Sequence, residues 1–181
     1  MSTSARSTSA ADDREAHNGS LRETVEYIAL RRVQNRYADI VTRRAWDELT
    51  EIMSPDCKVT VDTLDRSYRF NGPDEIGDFI GRQIERFSFF EFVVLNTVIS
   101  IDHEHGTAGA RMYMQELRQS SDDGRRTNAF GVYHDRLVKS PDDGSWRFVR
   151  RKYRSFARTA APDAVGDLDV FDLPVIDLDE I

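Results

Sequence analysis

The sequence predicts an α+β fold: a cone-shaped α+β barrel in which a curved antiparallel sheet wraps around N-terminal helices. Three observations favour it. Helical periodicity is confined to the first half of the chain, residues 91–158 read as long strands, and turn signals separate those strands. Strands of ten or more residues cannot lie flat, because sheets twist. A curled sheet leaves an open hollow, so we expect a small-molecule pocket.

The first half predicts three helices. The first begins near Ser20, an N-cap whose capping box Glu23 completes. Its apolar face comprises Leu30, Val33, Tyr37, Ile40 and Val41. A short second helix covers residues 45–53 and ends before Pro55. The third opens at Pro73, and its apolar stripe comprises Ile76, Phe79, Ile80 and Ile84.

Strands are predicted at residues 57–64 and 67–70, between the second and third helices. Four longer strands follow, at residues 91–101, 107–119, 126–139 and 145–158. Each junction between long strands carries a turn signal, ending in Gly106, Gly124 or Gly144. Hairpin turns between successive strands predict an antiparallel meander.

Composition limits the function classes. The chain has 181 residues and a net charge of −7, which residues 159–181 supply alone, leaving 25 acidic and 25 basic residues elsewhere. A neutral body argues against binding to nucleic acid. No apolar run approaches the roughly 18 residues of a membrane span. The first 20 residues lack the apolar block of a secretory signal, and the single cysteine, Cys57, excludes an internal disulfide, so cytoplasmic residence is expected.

Three regions are predicted. Residues 1–19 lack hydrophobic periodicity and are expected to be a disordered tail. Residues 20–158 form the folded domain. Residues 159–181 form an acidic tail, in which apolar residues recur between Val170 and Leu178. That segment either packs back on the domain, with the pocket mouth as one place for it, or remains a loose acidic terminus.

This organisation resembles the SnoaL-like branch of the nuclear-transport-factor-like superfamily, which includes polyketide cyclases, scytalone dehydratase, bile-acid dehydratase and ketosteroid isomerase. The order and spacing of six short segments carry the resemblance: residues 36–39 (RYAD), 46–49 (WDEL), 54–56 (SPD), 72–76 (GPDEI), 135–138 (DRLV) and 144–148 (GSWRF). They are mostly scaffold residues, so they point to a fold more than to an activity.

The resemblance implies a dimeric or trimeric cone with its site inside. It also implies positions for acid–base residues, which this chain fills differently. Where the dehydratases carry a carboxylate and a histidine, the chain has Thr42 and Phe92. Where the isomerases carry a general-base aspartate, it has Val61. Ordinary dehydration and ordinary ketosteroid isomerisation are therefore both in doubt.

Three residues remain candidates for catalysis. Tyr37 lies on the apolar face of the first helix, where a phenol donates either to a substrate carbonyl or to a neighbour in the core. The position that donates to the oxyanion in the isomerases falls at His134 or Tyr133, and His134 is alternatively a histidine hydrogen-bonded across strands. Glu116 is either a base with a raised pKa facing a methionine-lined cavity or a strand-end carboxylate paired with Arg118.

The predicted pocket lining is mostly apolar. It comprises Val59, Val61, Phe92, Val94, Met112, Met114, Asn128, Phe130, Tyr133 and Arg154. The other basic residues of the last strand are expected to pair with acidic side chains of neighbouring strands or of the tail. Residues 102–105 (DHEH) read as a polar turn rather than a metal site, and no phosphate-binding or redox motif is present.

The sequence thus predicts a cofactor-independent enzyme that dehydrates, isomerises or cyclises a hydrophobic cyclic carbonyl compound. Tyr37 and His134 would polarise the oxygen and Glu116 would move the proton. A homodimer or homotrimer is expected. The alternative, which the residues Thr42 and Phe92 favour, is a ligand-binding or accessory protein of the same fold without catalytic activity.

Overall fold

The computed structural model describes residues 4–162 and 166–181, with side chains from residue 14 onward. These residues form two helices, two short 3-10 helices and seven strands. In order they are α1 (Ser4–Arg43), a 3-10 helix (Trp46–Glu51), β1 (Met53–Asp62), β2 (Ser67–Asn71), α2 (Gly72–Ile84), β3 (Phe87–Asp102), β4 (Thr107–Ser120), β5 (Arg126–Lys139), β6 (Trp146–Thr159), β7 (Leu168–Val170) and a 3-10 helix (Leu178–Glu180).

Helix α1 begins well before the predicted start at Ser20. The described part of the segment predicted to be a disordered tail, residues 4–19, is helical. This segment contains no proline and several strong helix formers, and the helix continues through it. Glu23 consequently lies within the helix, where it pairs with His103 in the turn between β3 and β4. The helix ends at Arg43, and Arg44 adopts a left-handed φ of 61°.

The strands form one sheet in the order β2-β1-β6-β5-β4-β3, with β7 added to β6. The four long strands make the predicted antiparallel meander. Strand β1 pairs with β6 in parallel, so the sheet as a whole is mixed. Strands β2 and β3 stand at opposite edges, and no pairing between them closes the sheet within the described residues. The result is an open α+β cone.

Strand β1 starts earlier than predicted. Pro55 lies inside it rather than after a helix, at an irregularity in the register between Met53 and Lys58. A proline donates no hydrogen bond to a strand ladder, so it is accommodated where the regular pairing is interrupted. The second predicted helix is correspondingly a short 3-10 helix.

The predicted apolar faces of the helices form the core. Leu30, Ile40 and Val41 of α1 are almost fully buried together with Ile76 and Ile84 of α2. Val33, Phe79 and Ile80 are partly buried against the same core. Both helices therefore cover the concave side of the sheet, as the periodicity of their sequences indicates.

The acidic tail crosses the convex side of the sheet. After β7, the amide of Phe171 donates to Phe156 O (2.8 Å), and further on Arg111 and Arg136 donate to Ile176 O (3.4 Å) and Ile181 O (3.2 Å). Gly109 allows the close approach, since a Cβ there would lie 2.2 Å from Leu178 O. Outward-facing arginines of the sheet thus bind main-chain carbonyls of the tail.

None of the helices in the described part of the chain is apolar enough along its length to cross a bilayer.

Candidate functional site

The concave side of the sheet encloses an open cavity of about 300 Å³. Its walls come from α1, β1, β2, α2 and the inner face of β3–β6. One wall is aromatic, because the Phe79 ring lies 4.8 Å from the Tyr68 ring and 4.7 Å from the Phe70 ring. We call the inner end, at Tyr37 and Tyr133, the floor, and the end at Glu116 and Arg118 the mouth.

Behind the floor lies a fully buried ion pair. The register of β5 and β6 places Asp135 directly opposite Arg151, and the side chains of both residues are 0% exposed. Arg151 Nε and Nη2 donate to the two carboxylate oxygens of Asp135 at 2.8 and 3.1 Å. Burial raises the pKa of Asp135, and the facing guanidinium opposes that rise. This bidentate geometry is the arrangement in which a buried pair best recovers its desolvation cost.

Three aromatic rings surround the Arg151 guanidinium. Its central carbon lies 3.9 Å from the ring centre of Tyr37, 4.0 Å from Phe148 and 4.2 Å from Tyr133. A desolvated cation–π contact is worth about 2 kcal/mol. Arg151 therefore holds the rings of α1, β5 and β6 together, and it places a positive charge directly behind the two floor tyrosines.

The two floor tyrosines bring their hydroxyls together. Tyr37 Oη lies 3.4 Å from Tyr133 Oη, and the two side chains are almost completely buried. Burial raises the pKa of each phenol, although Arg151 opposes the rise, so both are neutral donors at ordinary pH. The Tyr153 ring packs at a tilt against Tyr133, with the ring centres 5.0 Å apart. Gly131 makes room for Tyr153, since a Cβ there would lie 2.0 Å from its ring.

Glu116 faces the floor from the mouth. Tyr133 pairs with Met112 on β4, and Glu116 lies four residues further along that strand, about 13 Å at the usual rise. Its side chain is 24% exposed, and its nearest basic partner, Arg118, lies at 3.5 Å. Burial raises the pKa of Glu116, while Arg118 and Arg86 oppose the rise. A carboxyl with a raised pKa can exchange protons closer to neutral pH than an exposed one.

Comparisons with known proteins identify the family. The family model described as a SnoaL-like domain matches residues 22–152.

The chain belongs to the SnoaL-like family.

No curated protein matches the chain. Solved structures resemble this SnoaL-like domain at low identity. A candidate scytalone dehydratase from Novosphingobium aromaticivorans has a TM-score of 0.67 at 20% identity, covering 86% of this chain and 97% of its own. The hexachlorocyclohexane dehydrochlorinase LinA-type3 from Novosphingobium barchaimii has a TM-score of 0.67 at 16% identity, covering 86% and 99%. An NTF2-like protein with a cystatin-like fold from Novosphingobium aromaticivorans has a TM-score of 0.63 at 17% identity, covering 76% and 86%. At these identities the likeness establishes the fold.

Of the three predicted catalytic residues, the SnoaL-like domain brings two to the cavity. Tyr37 and Glu116 both line it, whereas His134 does not. Successive residues of a strand face opposite sides of the sheet, so His134 faces the convex side while its neighbour Tyr133 faces the cavity. His134 lies opposite Arg111 and Lys152 in the register of the neighbouring strands, and its side chain is buried. The placement of His134 in the pocket is therefore wrong. The alternative of the same prediction, Tyr133, occupies the floor.

The predicted lining divides in the same way. Val61, Phe92 and Tyr133 line the cavity. Four further residues lie on the concave side but pack into the core beneath it: Val59, Val94, Met112 and Met114. Asn128, Phe130 and Arg154 share the convex face with His134, so their placement in the pocket is wrong. The register is decisive, because a shift of one residue moves a whole strand's side chains to the other face.

Sequence reasoning missed the Asp135–Arg151 pair and Tyr153 as parts of the site. The expectation that basic residues of the last strand pair with acidic residues of a neighbouring strand holds for Arg151. The hairpin between β5 and β6 could have identified Asp135 as the partner of Arg151. Once the type of its turn is known, the turn fixes which residues of the two strands lie opposite each other.

Thr42 and Phe92, at the positions where the resemblance implied acid–base residues, make a structural contact. Thr42 Oγ1 accepts a hydrogen bond from the Phe92 amide at 3.0 Å, which links α1 to β3. The Phe92 ring then packs edge-on against Tyr37, with the ring centres 5.5 Å apart. These two positions therefore shape the cavity wall and carry no group that could transfer a proton to a substrate.

We expect Asp135→Asn to destabilise the domain by about 3–5 kcal/mol, because it leaves the Arg151 charge buried without a counter-charge. Urea denaturation followed by circular dichroism measures this loss. The double variant Asp135→Leu/Arg151→Met should recover much of the lost stability, since neither charge remains. Asp65→Asn, which breaks the exposed pair with Arg158, is the matched control and should have a much smaller effect. Equal losses for Asp135→Asn and Asp65→Asn would contradict the structural role of the buried pair.

Proposed function

We propose that the protein is a cofactor-independent acid–base enzyme that acts on a hydrophobic cyclic carbonyl compound. Tyr37 and Tyr133 bind the carbonyl oxygen at the floor, and Glu116 transfers the proton. The observation that carries the proposal is the pair of neutral phenols packed against a buried arginine, opposite a carboxyl with a raised pKa. His134, on the other face of the sheet, has no part in it.

The floor suits an oxygen that becomes negative during the reaction. When a base removes a proton from the carbon beside a carbonyl, the electron pair moves to the carbonyl oxygen and forms an enolate. Two phenol donors stabilise that oxygen, and the Arg151 charge behind their rings adds to the effect in a buried setting. Arg151 contacts the tyrosines rather than the substrate, so it is a positioning residue.

Glu116 completes the reaction as base and then acid. The ionised carboxylate takes the proton from carbon, and the protonated carboxyl then returns it. If the substrate has a C=C bond at the β,γ position, the enolate is a dienolate, and delivery of the proton to its γ-carbon moves the double bond into conjugation and gives an isomer. Delivery to a hydroxyl on the β-carbon releases water and gives dehydration. The apolar walls, including Val61, Phe79 and Phe92, bind the ring and keep bulk water from the enolate.

The fold neighbours support this reaction class. Two of them bear the names of elimination enzymes, a dehydratase and a dehydrochlorinase. Family membership adds weight to small-molecule acid–base chemistry as a class. The substrate of this protein is inferred from its own cavity, whose walls carry apolar side chains such as Val61, Phe79 and Phe92 and whose floor and mouth carry the phenols and the carboxyl.

A binding or accessory protein without catalytic activity is the second candidate. Thr42 and Phe92 favour it, because they occupy the positions where related dehydratases carry their acid–base residues. The two candidates differ in one measurable property. An enzyme of the proposed kind accelerates loss of the α-protons of a bound cyclic ketone, whereas a carrier binds the ketone without that acceleration.

We expect the protein to accelerate the exchange of the α-protons of 2-tetralone, or of a related cyclic ketone, for deuterium in deuterium oxide. Proton NMR measures the rate of this exchange. Tyr37→Phe and Tyr133→Phe should each slow this exchange about a hundredfold, the usual effect of losing one oxyanion donor. Tyr113→Phe, a tyrosine on the convex face, is the matched control and should leave the rate unchanged. Binding of the ketones with no acceleration by the unaltered protein would favour the carrier instead.

The exchange rate should rise with pH through the pKa of Glu116, because the ionised form is the base and burial places that pKa above its ordinary value. Glu116→Gln should remove this acidic limb and lower the rate by at least about a hundredfold. A Glu116→Gln variant that retains both the rate and its pH profile would exclude Glu116 as the base.

A further inference from the structure

We infer that the substrate carries a carboxylate, and that Arg86, Arg118 and Arg158 bind it at the cavity mouth. This inference rests on the proposed function, since it places the ring of the same substrate between the mouth and the floor. The inference specifies the chemical class of that substrate. It is a cyclic carbonyl compound with a carboxylate-bearing substituent at the end remote from its reacting oxygen.

The three arginines converge from different parts of the fold. Arg86 precedes β3, Arg118 lies on β4 and Arg158 lies on β6. All three line the cavity, and all three also line a second hollow of about 360 Å³ just outside it. They therefore form the boundary between the two spaces, a position that any ligand longer than the inner cavity must pass.

Arg118 is the most deeply placed of the three. Its side chain is 17% exposed, and its only carboxylate partner among the described residues is Glu116, at 3.5 Å. Its Nε is buried and has no hydrogen-bond partner within that part of the chain. The Glu116 contact at 3.5 Å engages Nη1 of Arg118, so the other terminal nitrogen can donate to an anion at the mouth.

The other two arginines leave positive charge at the same place. The guanidinium of Arg86 stacks 5.0 Å from the Phe87 ring, and Arg86 forms no ion pair within the described residues. Arg158 pairs with Asp65 at 2.8 Å and lies 3.9 Å from Asp169. Arg158 is therefore partly neutralised, while Arg86 and Arg118 supply most of the free charge.

The acidic groups of the outer hollow do not cancel that charge. Asp122 and Asp123 line it, but neither forms an ion pair with the three arginines in the structure. The Asp123 carboxylate instead accepts a hydrogen bond from the Arg125 amide at 2.9 Å, within the turn between β4 and β5. Planar guanidinium groups match a carboxylate with two hydrogen bonds, so a carboxylate fits this cluster.

The experiment uses pairs of aromatic alcohols that differ by one carboxylate. The pairs are phenol and 4-hydroxybenzoate, 2-naphthol and 6-hydroxy-2-naphthoate, and 4-phenylphenol and 4′-hydroxybiphenyl-4-carboxylate. They present an enol-like hydroxyl to the floor and a carboxylate at three distances from it. Isothermal titration calorimetry of the full chain should show at least one carboxylate binding about tenfold tighter than its neutral partner, the effect of one charge-assisted hydrogen bond. The advantage should shrink as salt is added.

Variants assign the advantage to residues. Arg118→Met should remove it while leaving the neutral alcohol's affinity within about twofold, a difference well below one hydrogen bond. Arg118→Lys should restore part of the carboxylate advantage, since the positive charge remains but the two parallel donors of the guanidinium are lost. Arg126→Met, on the exposed start of β5 and outside both hollows, is the control and should retain the full advantage. Glu116→Gln should increase the advantage, because it removes the carboxylate that competes for Arg118.

Equal affinity of every pair in the unaltered protein would overturn the inference. A tighter binding of the carboxylates that persists in both Arg118→Met and Arg86→Met would also overturn it. Arg86 is exposed, so Arg86→Met should fold normally. Circular dichroism and the melting temperature establish that each variant is folded. The proton-exchange assay reports on the proposed function separately. Loss of exchange in Tyr37→Phe, together with a carboxylate advantage that persists in both Arg118→Met and Arg86→Met, would therefore reject the carboxylate site alone.

Discussion

The buried pair of Asp135 and Arg151 is the interaction on which the site depends. Two buried charges are stable only with good geometry, and here two hydrogen bonds, at 2.8 and 3.1 Å, and three aromatic faces around the guanidinium provide it. The same contacts fix where Tyr37 and Tyr133 lie, because both rings pack on the guanidinium. Stability and the placement of the floor hydroxyls therefore have one physical cause.

The sheet separates two sets of arginines by strand alternation. Arg151 faces the concave side and supports the floor, whereas Arg111 and Arg136 face the convex side and bind carbonyl oxygens of the tail. The tail thereby occupies the face opposite the cavity, and none of the described residues 166–181 lines the cavity. The start of the tail reaches the rim of the mouth, because Asp169 lies 3.9 Å from Arg158 and the Phe171 ring lies 5.4 Å from the Arg158 guanidinium.

Local signals predicted most of the fold, and long-range register decided the rest. The bounds of β4 and β5 follow from alternation and from turn residues, which are local properties. The parallel pairing of β1 with β6 joins distant segments, and no local pattern specifies it. The sequence pattern predicted Tyr37 and Glu116 as cavity residues, because the helix or strand face that carries each was clear. Tyr133 and His134 are adjacent and face opposite sides of the sheet, so an uncertainty of one residue in the register led to His134 as the catalytic residue in place of Tyr133.

The most direct test is a crystal structure of the protein with 2-naphthol or a cyclic ketone bound. We expect the ligand oxygen to lie about 3 Å from both Tyr37 Oη and Tyr133 Oη, with the ring extending toward Glu116. A ligand whose oxygen points to the mouth, or one that binds outside the cavity while the two hydroxyls remain paired with each other, would contradict the account.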